Sequence, residues 1–194
     1  MGDPKKQRKK YETPRFRWRT DILQEELKLI GQYGLRNKQE LWRHKTMLSK
    51  TRGIARSLIG KTPEERVKME NELLTRLKKL GILQDTAVLD NVLDLSVEDL
   101  LERRLQTLVF RKGLTRTIFQ SRQLITHGHV NIGNRRVTVP SYIVSKEEEE
   151  QVVYSPQSAL ANEAHPLRQA LTIVAKQPEI RPQPRGRRGR GGRR

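Results

Sequence analysis

The chain has no cysteine, which removes disulfides and cysteine-ligated zinc or iron–sulfur sites from consideration. Aromatic residues make up only 5% of its 194 residues and hydrophobic residues 34%, so any core is modest and partners can supply part of the stability. No apolar run reaches transmembrane length, and the basic start MGDPKKQRKKYETPRFRWR lacks the apolar stretch of a secretory signal. Acid is also scarce, with 22 Asp and Glu against 40 Lys and Arg, for a net charge of +18. A balance this basic calls for a polyanion. The terminal segment lacks the amphipathic spacing of a membrane-surface helix, so the expectation is nucleic acid and no membrane.

The excess charge is gathered at the ends. Eight Lys or Arg against Asp3 and Glu12 give residues 1–19 a net +6, seven Arg give residues 181–194 +7, and +5 remains for the residues between. The first arm interleaves Arg15, Arg17 and Arg19 with Phe16 and Trp18. Such alternation suits phosphate pairing with base stacking, and equally a segment whose aromatics pack on a neighbouring domain. The closing RPQPRGRRGRGGRR is low-complexity and is expected to be disordered until bound.

Residues 20–95 read as an all-helical unit. Ile22, Leu23, Leu27 and Ile30 recur at helical spacing, with Gly31 and Gly34 as stops. Asn37 and Glu40 have the spacing of an N-cap and its reciprocal partner, and the helix after them is framed by Leu41, Trp42, Lys45, Leu48, Ala55, Leu58 and Ile59, with Gly53 as a break point. Arg43, Arg52 and Arg56 lie on its other faces, either as RNA contacts or as a solvated cationic face. Thr62-Pro63-Glu64-Glu65 predicts a capped helix start, and Gly81 its end. Residues 151–180 carry a candidate strand at Gln151–Tyr154 and a short helix around Leu167–Val174, and are expected to pack back on the helical unit.

Residues 96–150 form the second unit. A helix is expected from Ser96 to Gly113, with Val97, Leu100, Leu101, Leu105, Leu108 and Val109 inward and Arg103, Arg104, Arg111 and Lys112 at its fringe. A second, capped by Thr115, has Ile118, Phe119, Leu124 and Ile125 as apolar positions, with Arg116, Thr117, Gln120, Arg122 and Gln123 around them. Its N-terminus beside Arg116 is a natural place for a phosphate. After Gly128, the alternation His129-Val130-Asn131-Ile132, the turn Gly133-Asn134 and the return Arg135-Arg136-Val137-Thr138-Val139 predict a hairpin. Val130, Ile132, Val137 and Val139 are expected to face the helices. Glu147–Glu150 reads as a solvated acidic turn.

Arg104-Leu105, Thr115-Arg116-Thr117, Arg122-Gln123-Leu124-Ile125, His127-Gly128-His129-Val130 and Arg136-Val137-Thr138-Val139-Pro140-Ser141-Tyr142 together resemble the S-four RNA-binding domain. Glu25–Gly31, Tyr33–Lys38 and Glu40-Leu41-Trp42 further resemble the archaeal and eukaryotic branch of the small-subunit ribosomal protein family that gives the domain its name. The likeness covers residues of about 13 to 150, and the zinc knuckle of some members is absent. It implies an α+β chain: an N-terminal all-helical domain, then a small RNA-binding domain of two helices packed on a small β-sheet, with extended basic terminal arms. It also implies a primary binder of small-subunit rRNA that nucleates 5′-domain assembly, borders the path by which messenger RNA enters, contributes to accuracy, and touches neighbouring small-subunit ribosomal proteins in the cytoplasm.

Carried over by position, the expected RNA contacts are Arg104, Arg116, Arg122, Gln123, His127, His129, Arg135 and Arg136. The residue pattern adds Arg111, Thr117 and Asn131, the arm residues Arg15, Arg17 and Arg19, and the helical Arg43, Arg52 and Arg56. Phosphate contacts supply affinity for such a module, and junction shape supplies selectivity. No cofactor or metal is expected: His127 and His129 lack a nearby carboxylate or further histidine to complete a ligand set. An RNA-modifying enzyme would need a catalytic domain, and residues 20–95 offer no nucleophile and base pair. A free-standing RNA chaperone or ribosome-rescue factor using the same module is the alternative function.

Overall fold

A computed structural model describes residues 9–169, so the Arg/Gly-rich tail at 181–194 lies outside the described residues. The chain opens with α1 (Thr20–Gln32), α2 (Lys38–Ile59) and α3 (Pro63–Lys79). Asn37 caps α2 by accepting the Glu40 N–H at 3.1 Å. Gly53 does not break α2, which runs unbroken past it. Pro63 takes the first position of α3 as expected, but Thr62 makes no side-chain cap, so no capping box forms there. The short helices α4 (Leu89–Asp94) and α5 (Val97–Glu102) follow, the latter capped by Ser96 and Asp99 acting reciprocally.

The helix expected from Ser96 to Gly113 is two helices. It stops at Glu102 and resumes as α6 (Leu105–Arg111), with Arg104 extended between them at φ −73° and ψ 141°. The cause is tertiary. Arg104 forms an isolated antiparallel bridge with Ile143. The opening N–H groups of α6 are also taken by this returning chain: Leu105 donates to the Tyr142 carbonyl at 2.8 Å and Gln106 to that of Pro140 at 3.3 Å. Donors left over at a helix start are thereby satisfied without a cap side chain.

This break is also the boundary between cores. Leu100 packs with Leu48, Ala55, Leu58, Leu77, Leu89, Val92 and Leu95, and Leu101 with Tyr33, Leu35 and Leu41. Leu105, Leu108 and Val109 instead join Leu124, Ile125, Val130, Ile132, Val137, Val144, Val152 and Leu160. The helical unit therefore extends through α5, and the second unit begins at Arg103 rather than Ser96.

In the second unit α6 packs against α7 (Ile118–Thr126), followed by β1 (Val130–Ile132), β2 (Arg135–Arg136), α8 (Lys146–Glu150) and β3 (Val152–Tyr154). The sheet is antiparallel with order β2-β1-β3, pairing Asn131 with Arg136 and with Val153. Thr117, not Thr115, caps α7, accepting from the Gln120 N–H, while Thr115 is buried against the Ser121 hydroxyl. Val130, Ile132 and Val137 face the core as expected, whereas Val139 is exposed. The acidic stretch is a turn as expected, and a helical one, α8, capped by Ser145.

The expectation that residues 151–180 fold back on the helical unit fails over their described part. β3 pairs with β1, Leu160 enters the core of the second unit, and the Ser155 N–H donates to the His129 carbonyl at 2.9 Å. Residues 166–169 begin a helical turn at the edge of the described chain. No helix among the described residues is long and apolar enough to cross a membrane.

Candidate nucleic-acid interface

Two of the cations expected to hold RNA are turned inward. The extended backbone at Arg104 directs its side chain under α2, where it is only 1% exposed. Its Nη2 donates to Glu40 Oε2 at 2.9 Å and its Nη1 to His44 Nε2 at 3.0 Å. Arg122 of α7 approaches the same carboxylate, with Nη2 2.7 Å from Oε1 and Nη1 3.2 Å from Oε2. Glu40 is thus clamped between two guanidiniums and joins the helical unit to both helices of the second unit. Arg104 is therefore absent from the open surface, and Arg122, a quarter exposed, is paired with Glu40.

Burial pushes the Glu40 pKa up, but hydrogen bonds from Arg122 and Arg104 outweigh it and hold the carboxyl below its ordinary range. His44 moves the other way for a base: burial, and then the neighbouring Arg104 charge, pull it down to about 4. Its ring is therefore neutral at pH 7. The seam is completed by Gln106, whose amide donates to the carbonyls of Gly34 and Ile118 at 2.9 and 3.1 Å. Gly34 is required there: its φ is +57°, and a Cβ would sit 2.7 Å from Ile118.

Other expected contacts are also occupied internally. Arg52 donates to the Leu95 carbonyl and ties α2 to the α4–α5 junction. Arg111 pairs with Glu102, which also accepts the Tyr33 hydroxyl at 3.0 Å, although Arg111 remains exposed. Asn131 is 7% exposed in the central strand, so it lies inside rather than on the open surface. His129 shares a hydrogen bond with Ser158 at 2.8 Å and lies 6.3 Å from the His127 ring, centroid to centroid.

Exposed to solvent are Arg116, the cap residue Thr117, Gln123 and His127 on α7 and its ends, and Arg135 and Arg136 on the hairpin, with Arg135 also 4.0 Å from Glu148. Arg136 lies across Gly128, where a Cβ would meet its Nε at 2.9 Å. The Arg135 guanidinium sits 5.9 Å from the Tyr142 ring centroid. On α2, Arg43 and Arg56 are exposed. The arm is anchored by Tyr11, whose ring lies tilted 6.0 Å from that of Trp42, and by the Glu12 N–H donating to the Thr46 hydroxyl at 2.9 Å. Beyond that anchor Arg15, Arg17 and Arg19 are exposed, and Phe16 and Trp18 do not pack on the helical unit; Trp18 is 86% exposed.

Phe119 is a further exposed group, at 62%, on the first turn of α7 beside Arg116 and Thr117. It was expected in the core. The signal against that was available: Ile118, Ser121 and Ile125 form the buried stripe, and a residue one position after Ile118 is turned by about 100° from it. Glu40 was legible only as a cap partner, and nothing local marks it as an ion-pair hub. No group of three or more His, Cys, Asp or Glu suited to a metal ion occurs among the described residues.

A model of the S4 domain matches residues 103–150, beginning where the core boundary falls. The chain is 52% identical over 161 residues to the small ribosomal subunit protein uS4 of Hyperthermus butylicus, covering 83% of this chain and 92% of that protein. It is 46% identical over 179 residues to uS4 of Thermoplasma acidophilum, covering 91% and 90%. A third relative, uS4 of Ignicoccus hospitalis, is 52% identical over 158 residues, covering 81% and 95%. By identity and coverage together, the chain belongs to the family of the small ribosomal subunit protein uS4.

Proposed function

We propose that the chain is a structural, non-enzymatic constituent of the small ribosomal subunit that binds its rRNA early, helps to nucleate the 5′ domain, and borders the path by which messenger RNA enters. The relatives' names support the ribosomal role and the S4 domain supports RNA binding. The observation that carries the RNA contact is the set of outward cations on one module: Arg116, Arg135 and Arg136, with Gln123, His127 and Thr117 as polar neighbours. Arg15, Arg17, Arg19, Arg43 and Arg56 extend this set along the helical unit and its arm. Exposed cations that keep their hydration until RNA arrives release counterions on binding, which gives affinity without base specificity. Phe16, Trp18 and Phe119 add faces on which unpaired bases stack.

The test is reconstitution. Purified protein mixed with small-subunit rRNA should co-sediment stoichiometrically before other proteins are added, and should remain on small subunits through a high-salt wash. Loss in that wash supports a free-standing chaperone instead. For the finer role, crosslinks from Phe16 and Trp18 should reach messenger RNA or rRNA beside its path; crosslinks only to distant rRNA contradict it.

A further inference from the structure

The clamp on Glu40 leaves an electrostatic remainder. A guanidinium only donates, so the Arg104 Nη1 contact at 3.0 Å makes His44 Nε2 the acceptor. The neutral ring therefore carries its proton on Nδ1. That Nδ1–H is buried with no partner among the described residues, and so is the Nε–H of Arg104. Both orphans are donors, and each needs an acceptor.

They belong to residues that border one small cavity of about 180 Å³, lined by Glu40, Arg43, His44, Met47, Arg104 and Ser141. Both oxygens of Glu40 are already engaged by Arg104 and Arg122. Two guanidiniums, Arg104 and Arg122, thus share one carboxylate beside the neutral His44, and Arg43 adds a further cation to the cavity lining. A local surplus of positive charge beside unpartnered buried donors favours an anion over a second cation or an apolar group. Ser141 and Arg43 are exposed, which opens the cavity to a ligand from outside.

From this arrangement we infer that the seam between α2 and the S4 domain holds a phosphate group, received by Arg43, His44, Arg104 and Ser141. Resting on the proposed function, its source is the rRNA backbone. The phosphate completes the clamp, so docking the two units and gripping RNA share one site. Arg104 would then act on RNA from inside the seam rather than from the open edge.

The test follows the His44 ring nitrogens by NMR while ¹⁵N-labelled full-length protein is titrated, in separate arms, with a 5′-domain rRNA fragment and with inorganic phosphate. The His44 signals should move with rRNA. A response to rRNA alone supports the site with the backbone as its source, and a response to both supports it as a general phosphate site. Arg43→Gln should lower the slope of log affinity against log salt by about 0.7 to 0.9, one phosphate contact. Ser141→Glu, placing a carboxylate at the exposed mouth, should abolish the His44 response while the protein stays folded. rRNA binding with the His44 signals unmoved and the Arg43→Gln slope unchanged overturns the site and leaves the proposed function standing. A response to inorganic phosphate in a protein that does not bind rRNA supports the site and sinks the proposed function.

Discussion

Arg104 and Arg116 belong to the same S4 domain and carry the same charge, but one lies under α2 and the other faces solvent. Around Arg104, Glu40, His44 and Arg122 form a network whose ion pairs join the helical unit to the second unit. At Arg116 the backbone N–H donates to the Gln120 side chain at 2.9 Å and the residue is exposed to solvent. The lesson is that charge in a basic protein divides into a part that holds the fold and a part that holds the partner. Composition counts both alike. Burial separates them, because a desolvated cation must be paired whereas a hydrated one need not be.

The comparison breaks most forcefully at Glu40. Glu40→Ala leaves Arg104 buried without its counter-charge, and should lower unfolding free energy by about 3–5 kcal/mol in urea denaturation. Arg116→Glu, on the open edge, should stay within about 0.5 kcal/mol of the parent. Equal effects of the two substitutions would erase the distinction. Arg122→Glu is no test of RNA contact, because it sets a second carboxylate against Glu40 and strikes the clamp instead.

Acid should probe the same clamp more gently. The folded pKa of His44, about 4, lies below its ordinary 6.5, so between those values the unfolded chain binds more protons than the folded one. Stability is therefore full above pH 6.5 and lost as pH falls, by about 2 kcal/mol from pH 7 to pH 5 for a shift of that size. Glu40, held below its ordinary 4.5, adds a further loss as pH drops beneath that value. Denaturation at the two pH values checks the first step. His44→Gln, which keeps an acceptor for Arg104, should flatten it; an unchanged slope would assign the acid response elsewhere.

A smaller effect should sharpen the open side. Phe119→Ala removes an exposed ring from the first turn of α7, so stability should hardly change. rRNA affinity should fall by about 1–3 kcal/mol if a base stacks there. Unchanged affinity in a filter-binding assay would make Phe119 a bystander.

Much of this was legible because it is local. The Asn37 cap, Pro63 at a helix start, the Gly133 hairpin and the inward Val130, Ile132 and Val137 follow from short-range chemistry. What escaped was the long-range pairing. Glu40 meets residues 64 and 82 positions away, and no periodicity encodes that. The break before α6 has no glycine, proline or cap to announce it, because its cause is the Arg104–Ile143 bridge. Sequence alone therefore does not reveal that Arg104, Arg52 and Asn131 are held inside, nor that the strand at 152–154, itself legible, pairs within the second unit.

The central claim is that the outward cations grip RNA while the inward ones hold the seam. Its most direct measurement is rRNA affinity across a salt series for Arg116→Gln, Arg135→Gln and Arg136→Gln combined, alongside the urea midpoint. The slope of log affinity against log salt should fall by about 2 to 3 with the midpoint unmoved, since each lost phosphate contact removes about 0.7 to 0.9. An unchanged salt slope, or a midpoint that collapses with the affinity, would contradict the account.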